Sequence, residues 1–221
     1  MRKKRVLTRR QRAIRKLILP ALLLLLGIGS LLLHRGAVPA DARRDSEDRS
    51  GIGPTTVLEE LDIPIGEKLT VRGTLSENSR GLLFSLAHYD WLGGWQAVDE
   101  FTVDRKGQEA LFGGAVAIGP SLDNGSVLIF GHADPEICRV ELEGEIFVGR
   151  EWVRTPVKTV WERQGEETFF LFFPDWEKAD TAGILRCVGY DTQGREVART
   201  EMYGYTASIN PDGTRYGGYI P

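Results

Sequence analysis

The sequence predicts a mainly β protein with an N-terminal transmembrane helix, a disordered linker, and an antiparallel β-sandwich-like ectodomain with one short helix. Three observations predict this class: a basic segment runs directly into an apolar one, the remaining chain is acidic, and beyond residue 69 apolar and polar residues alternate. We expect six regions in order: a basic cytoplasmic tail (1–16), a transmembrane signal anchor (17–34), a disordered linker (35–54), a small α+β unit (55–122), an immunoglobulin-like β-sandwich unit (123–204) and a C-terminal tail (205–221).

The distribution of charge predicts how the chain is oriented. Residues 2–16 hold nine Lys and Arg and no acid. The rest of the chain therefore has nineteen Lys and Arg and all 31 Asp and Glu, a net charge of about −12. Lys and Arg that flank a membrane span stay in the cytoplasm. We therefore expect a single-pass protein of the cell membrane, with a cytoplasmic N-terminus and an extracytoplasmic C-terminal domain.

The apolar segment Leu17–Leu33 is the candidate membrane span, and we expect the lipid bilayer to be the partner of residues 17–34. As a helix the segment spans roughly 25 Å, against a hydrocarbon core of about 30 Å. The alternative is a cleaved signal peptide, because Ala40 and Ala42 fit a small-x-small cleavage site. The length and leucine content favour an uncleaved signal anchor, while cleavage after Ala42 stays open.

The residues after the apolar segment predict a change from linker to folded domain. Residues 35–54 mix Gly, Pro, Ser and charges of both signs with few large apolar residues, so we expect them to be disordered. A short helix is predicted over Thr55–Leu61, because Thr55 is a good N-cap residue and acids occupy the first turn. Pro64 follows closely and would end that helix.

Strand-like segments recur through the rest of the chain at intervals of about 10–15 residues, with Gly, Asn, Asp and Pro between them. Such spacing is typical of an antiparallel sandwich. Asp191–Gly194 is predicted to form the hairpin turn that joins the last two strands. The turn residues Pro120–Gly125 mark the boundary between units 55–122 and 123–204.

Two motifs carry a resemblance to known proteins. Trp91–Trp95 reads Trp-Leu-Gly-Gly-Trp, and Val127–Leu142 reads Val-Leu-Ile-Phe-Gly-His-Ala-Asp-Pro-Glu-Ile-Cys-Arg-Val-Glu-Leu. With the predicted helix and hairpin, the chain resembles a loose group of small membrane-anchored envelope proteins of Gram-positive, often spore-forming, bacteria. The resemblance covers about residues 55–200. It implies the topology and a β-rich fold, and it offers no catalytic residue.

Cys138 and Cys187 are the only cysteines in the chain, and each lies in an apolar strand-like segment. An exported domain permits a disulfide. If the two strands face each other across a sandwich, the disulfide would close a loop of roughly 50 residues, worth about 4 kcal/mol. The alternative is two free thiols, because Cys also packs as a small hydrophobe.

The polar cluster Gly131–Glu136 is the segment most suggestive of chemistry. On an extended strand, His132, Asp134 and Glu136 would share one face and could bind a metal or act in hydrolysis. Pro135 interrupts strand pairing, however, and Asp-Pro favours a turn. We therefore interpret the segment as a loop between two strands, and we expect no catalytic residue, cofactor or metal.

Trp91 and Trp95 are the candidate partner-binding residues, because Gly93 and Gly94 between them leave room for another molecule to approach. We expect a binding or scaffolding protein of the cell envelope without catalysis, whose partner is another envelope or membrane protein. An envelope sensor that acts through a membrane partner and a hydrolase that uses the polar cluster are the alternatives. The acidic balance of the exported part argues against nucleic acid as a partner.

Overall fold

A computed structural model describes residues 18, 20–25, 29, 38–65, 69–91, 93–107, 109–119, 126–148, 151–173 and 185–209. Strands dominate these ranges, which confirms the mainly β prediction. The predicted cytoplasmic tail and most of the predicted anchor lie outside the described residues, and within the anchor residues 18, 20–25 and 29 are helical. No helix in the described ranges is long and apolar enough to span a membrane.

Helix α1 precedes the strands and is bounded by recognisable end signals. It covers Pro39–Ser50, with Pro at a position where a missing N–H costs nothing, and it ends at Gly51 in the left-handed conformation (φ 69°). The strands that follow are β1 Thr56–Ile65, β2 Leu69–Asn78, β3 Gly81–Asp90, β4 Gly94–Asp104, β5 Leu111–Gly119, β6 Ser126–Ala133, β7 Arg139–Val148, β8 Glu151–Glu162, β9 Phe169–Phe172, β10 Leu185–Tyr190 and β11 Glu196–Ser208.

The strands form two sheets. The four-stranded sheet has the order β1-β2-β3-β4, so each strand pairs with its antiparallel neighbour in sequence. The seven-stranded sheet has the order β8-β7-β10-β11-β5-β6-β9. In it β11 is shared: residues 196–202 pair with β10, whereas residues 203–208 run parallel to β5. This long strand joins the two halves of the sheet.

The first hydrophobic core lies between the two sheets. From the four-stranded sheet β3 contributes Leu82, Phe84 and Leu86, alternate residues on one face. Phe84 stacks on Phe130 of the seven-stranded sheet, with ring centroids 5.2 Å apart. Gly73 makes room for this ring, because an added Cβ would lie 2.9 Å from Phe84 Cζ. Packing at this contact therefore requires glycine in β2.

The second core lies on the opposite face of β5 and β6. Its buried members are Leu111, Ala115, Ile129, Ala133, Ile137, Val140, Leu142, Phe170, Cys187 and Met202, drawn from both halves of the seven-stranded sheet and the loop after β6. Any side chain at Gly131 would overlap the ring of Phe170. Strands β5 and β6 are therefore apolar on both faces, as expected of a buried central layer.

Helix α1 covers the outer face of the four-stranded sheet, against β3 and β4. Ala42, Ser46 and Glu47 are buried there. The Glu47 carboxylate accepts hydrogen bonds from Thr55 N–H (2.9 Å), the Thr55 hydroxyl (2.5 Å) and Arg43 Nη1 (3.2 Å). The prediction of a disordered linker over 35–54 is therefore wrong for residues 39–50, because burial of Ala42 and the hydrogen bonds of Glu47 hold this helix on the sheet.

Four further predictions are corrected by the topology. The helix predicted over Thr55–Leu61 is strand β1, because pairing with β2 outweighs the local helix signals. The boundary between 55–122 and 123–204 falls between β5 and β6, which pair with each other. The unit 123–204 is not an immunoglobulin-like sandwich, because its strands share one sheet with β5, and the tail predicted from residue 205 begins inside β11.

The hairpin turn predicted at Asp191–Gly194 is confirmed between β10 and β11. The Asp191 carboxylate accepts hydrogen bonds from the backbone N–H groups of Gln193 (2.8 Å) and Arg195 (2.9 Å), and from Arg195 Nε (2.8 Å). The backbone bond from Arg195, aided by its guanidinium, lowers the pKa of Asp191. The charged carboxylate therefore stabilises the turn.

We predict that Asp191→Ala lowers the free energy of unfolding at pH 7 and has little effect at pH 2. A lowered pKa in the folded state gives stability above the unfolded value of about 3.9, which is lost as pH falls through the folded pKa. Urea unfolding of both proteins at the two pH values measures the difference. Asp48→Ala, which removes an exposed carboxylate from α1, is the matched control and should change stability little at either pH.

Candidate functional site

The turn between β3 and β4 presents a group of aromatic side chains that we name the aromatic hairpin: Tyr89, Trp91 and Trp95. Tyr89 and Trp95 are directly opposite in the strand register, and their rings meet edge to face with centroids 5.6 Å apart. Trp91 lies in the turn itself and is 77% exposed, and Tyr89 is 52% exposed. The aromatic hairpin therefore carries a large apolar area at the end of the four-stranded sheet.

The backbone of the turn between β3 and β4 has a defined conformation. The Asp90 carboxylate accepts a hydrogen bond from the Gly93 N–H (3.0 Å), and Gly94 adopts a positive φ of 73°. That conformation favours glycine, since a side chain would clash with the backbone. The two glycines between the tryptophans thus form the turn in which the exposed Trp91 lies.

A cation lies over one ring of the aromatic hairpin. Arg72 Cζ is 5.6 Å from the centroid of the Trp95 ring. The guanidinium is held by Asp62 (Nε to Oδ1, 2.7 Å) and more distantly by Glu60 (Nη1 to Oε2, 3.5 Å). The hydrogen bond to Asp62 raises the pKa of Arg72. Strands β1, β2 and β4 thus contribute to one row of carboxylates, guanidinium and aromatic ring.

The structure brings the two predicted partner-binding residues, Trp91 and Trp95, to one hairpin. Sequence reasoning missed Tyr89 and Arg72, which complete this surface. Tyr89 could have been found by pairing the residues on either side of the turn, which sets it opposite Trp95. Arg72 could not have been found in this way, because its position beside Trp95 depends on the register of β2 against β3.

A second group, the inter-sheet cluster, surrounds His132 and joins the two sheets. His132 Nε2 lies 2.9 Å from Asp134 Oδ1, and His132 Nδ1 lies 3.4 Å from Glu77 Oε2 in β2. Arg105 Nη2 lies 3.4 Å from the same Asp134 oxygen. The His132 ring stacks on Phe112 at 5.2 Å and is only 7% exposed as a residue. Nε2 thus lies at hydrogen-bond distance from Asp134, whereas Nδ1 lies near the Glu77 carboxylate and has no hydrogen-bond partner among the described residues.

The loop that carries Asp134 is held by one guanidinium. Arg163 donates to the carbonyl oxygens of Ala133 (3.0 Å), Asp134 (2.7 Å) and Ile137 (2.7 Å). The Ile137 N–H also donates to the Asp134 carbonyl at 2.9 Å, which closes a turn. Arg163 therefore holds the turn that carries Asp134 beside His132, because it donates further hydrogen bonds to the carbonyl groups of that turn.

The polar cluster predicted from sequence is only partly assembled. His132 and Asp134 meet, whereas Glu136 is exposed in the turn after Pro135 and joins neither. The loop interpretation fits this turn. Among the described residues no group of three or more His, Cys, Asp or Glu could hold a metal ion. Glu77, which sequence reasoning missed, comes from a strand more than fifty residues away and carries no local signal.

Of the two alternatives that the sequence left open for Cys138 and Cys187, the structure has two free thiols. Cys187 pairs with Leu142 on the adjacent strand, whereas Cys138 lies four residues before Leu142. That offset is roughly 13 Å along the strand, well beyond the Cα separation of about 7 Å that a disulfide tolerates. The two strands are neighbours in one sheet and do not face each other. Burial raises the pKa of the Cys187 thiol, so this thiol stays protonated.

We predict that His132→Ala lowers the free energy of unfolding by about 3 kcal/mol, because it removes the contacts of His132 with Asp134 and Glu77 and opens a cavity beside Phe112. Urea unfolding followed by tryptophan fluorescence measures the change. His88→Ala is the control, because this histidine lies on β3 and is only partly buried; it should cost less than about 1 kcal/mol. Equal losses in the two variants would contradict a special role for the inter-sheet cluster.

We predict that one thiol per native chain reacts with a thiol reagent and that the second reacts only after unfolding. Cys138 is partly exposed and Cys187 is buried, and reactivity requires an accessible thiolate. Mass spectrometry of the labelled chain measures the count, and Cys138→Ser should abolish native labelling. A mass increase of about 2 Da on reduction, the two hydrogens that a disulfide lacks, would contradict the free-thiol assignment.

Comparison with known proteins gives no match to set beside this geometry. No protein-family model matches the chain, and no curated protein or solved structure is detectably similar to it. The resemblance to anchored envelope proteins of Gram-positive bacteria therefore stays a prediction, and function is argued from the described residues of this chain.

Proposed function

We propose that this chain is a single-pass membrane-anchored extracytoplasmic protein of the cell envelope that binds another envelope or membrane protein through the aromatic hairpin. Residues 17–34 lie in the bilayer, the N-terminus is cytoplasmic, and the β-rich domain is outside. The observation that carries the binding role is the 77% exposure of Trp91 beside the half-exposed Tyr89.

The charge asymmetry of the chain supports the orientation. All nine bases of residues 2–16 precede the apolar segment, and the exported part is acidic. Within that segment the described leucines Leu23, Leu24 and Leu25 are helical and 62–67% exposed. A row of exposed leucines is suited to contact with lipid and costly in contact with water.

The composition of the aromatic hairpin supports binding to a protein. Trp and Tyr carry much of the energy at protein interfaces, because each buries a large rigid ring at low conformational cost. Other described apolar residues with high exposure outside the N-terminal segment, such as Val57, Phe173 and Val197, are scattered. Scattered residues of this kind are normal on a soluble surface, whereas adjacent aromatic residues mark an interaction site.

The hydrolase alternative has less support. Its three residues are not assembled, since Glu136 is apart from His132 and Asp134. Moreover, both nitrogens of His132 face carboxylates and the ring is buried, so neither nitrogen is open to a substrate. The inter-sheet cluster is better suited to joining the sheets than to acid–base catalysis.

A photo-reactive residue substituted for Trp91 should cross-link to a partner in living cells. We expect a discrete adduct from position 91 and none from position 173, where Phe173 is an exposed aromatic residue directly after β9 of the other sheet. Mass spectrometry identifies the protein attached. The same adduct from both positions, or none from position 91, would contradict the binding role.

Orientation is read out in the same cells. Protease added to intact cells without a wall should digest the β-rich domain and any adduct that it carries. Protection until lysis would overturn the proposed topology, whatever the outcome of cross-linking.

A further inference from the structure

The four-stranded sheet that bears the aromatic hairpin is strongly acidic. Between Thr56 and Asp104 the chain has nine Asp and Glu but only three Lys and Arg. On the outer face, Asp62 and Glu60 have side chains 58% and 44% exposed, and one guanidinium, that of Arg72, is shared between them. Two carboxylates for one cation leave net negative charge around Arg72, which lies over the Trp95 ring of the aromatic hairpin.

On the same surface a side chain of the protein itself, Arg72, already places a positive charge over an aromatic ring. The Arg72 guanidinium lies over the Trp95 ring while Asp62 and Glu60 hold it from the side. A ring face with nearby carboxylates is the arrangement that binds Lys or Arg, because the ring quadrupole and the carboxylate both attract positive charge. Trp91, most of whose surface is open, offers a second and larger aromatic surface a few residues away.

We propose that the aromatic hairpin binds a Lys- or Arg-bearing segment of its protein partner, with a cation over Trp91 and further bases near Asp62 and Glu60. This inference rests on the proposed function and specifies the chemistry of the partner. Charge complementarity supports this inference, because the acidic sheet attracts a basic segment and increases the rate at which the two associate.

Charge also argues against other occupants of this surface. A second copy of the domain would bring two acidic sheets together, and an anionic lipid surface would repel the carboxylates beside the rings. A neutral polymer could stack on the rings but would gain nothing from Asp62 and Glu60. A basic protein segment uses both the rings and the carboxylates.

The test measures binding of three labelled peptides to the full chain in detergent micelles by fluorescence anisotropy. The peptides share a length and a Gly-Ser background and carry either Lys, Gln or Glu at alternate positions. We expect the Lys peptide to bind at least ten-fold more tightly than the Gln peptide, and the Glu peptide not to bind. Trp91→Ala should weaken Lys-peptide binding about five-fold, a loss within the cation–π range.

Control variants separate the contributions. Phe173→Ala, on the other sheet, should leave binding unchanged. Asp62→Asn with Glu60→Gln should weaken Lys-peptide binding and reduce its dependence on salt. Because Trp91 is exposed in a turn, its replacement should leave the thermal midpoint unchanged, so that weaker binding is not a loss of folding.

Three outcomes would overturn the inference. These are equal affinity for the Lys and Gln peptides, unchanged binding after Trp91→Ala, and tighter binding to vesicles of anionic lipid than to the Lys peptide. If position 91 cross-links to a protein in cells while the Lys peptide does not bind, the proposed function stands and the cationic partner is rejected. If neither is seen, both fail.

Discussion

The pairing of β5 with β6 is the constraint on which the rest of the structure depends. These two strands form a central layer that is apolar on both faces, so each must be covered by other strands. The four-stranded sheet covers one face through Phe84 on Phe130. The opposite face is covered by the other half of the seven-stranded sheet. Strand β11 connects the two halves, because it pairs with both β10 and β5. Separation of β5 from β6 would therefore disrupt the packing of both hydrophobic cores.

The inter-sheet cluster lies in the interior, whereas the aromatic hairpin lies on the surface. His132 is buried and its neighbours come from both sheets, so its polar contacts fix how the sheets meet. Trp91 is exposed at the end of one sheet and does not belong to either hydrophobic core. Substitutions in the aromatic hairpin can therefore change this surface while the junction of the sheets is preserved.

Local patterns predicted much of the strand content and little of its assembly. Alternation identified most of the strands, and Asp191–Gly194 was identified as a turn because its side-chain and glycine chemistry is local. Helix α1 was missed, because its burial depends on Glu47 meeting Thr55. The choice between a disulfide and two free thiols stayed open, because spacing does not reveal which strands are neighbours. Trp91 and Trp95 were found by motif, whereas Arg72 depended on register.

The sequence by itself determined the β-rich class, the charge asymmetry about the apolar segment and the aromatic turn, since each follows from composition or from residues close in the chain. Only the tertiary structure decided that β5 runs parallel to β11, that Glu77 meets His132, and that Cys138 and Cys187 are offset along neighbouring strands. These are contacts between distant residues. Their energy comes from burial and strand register, and no local preference encodes either.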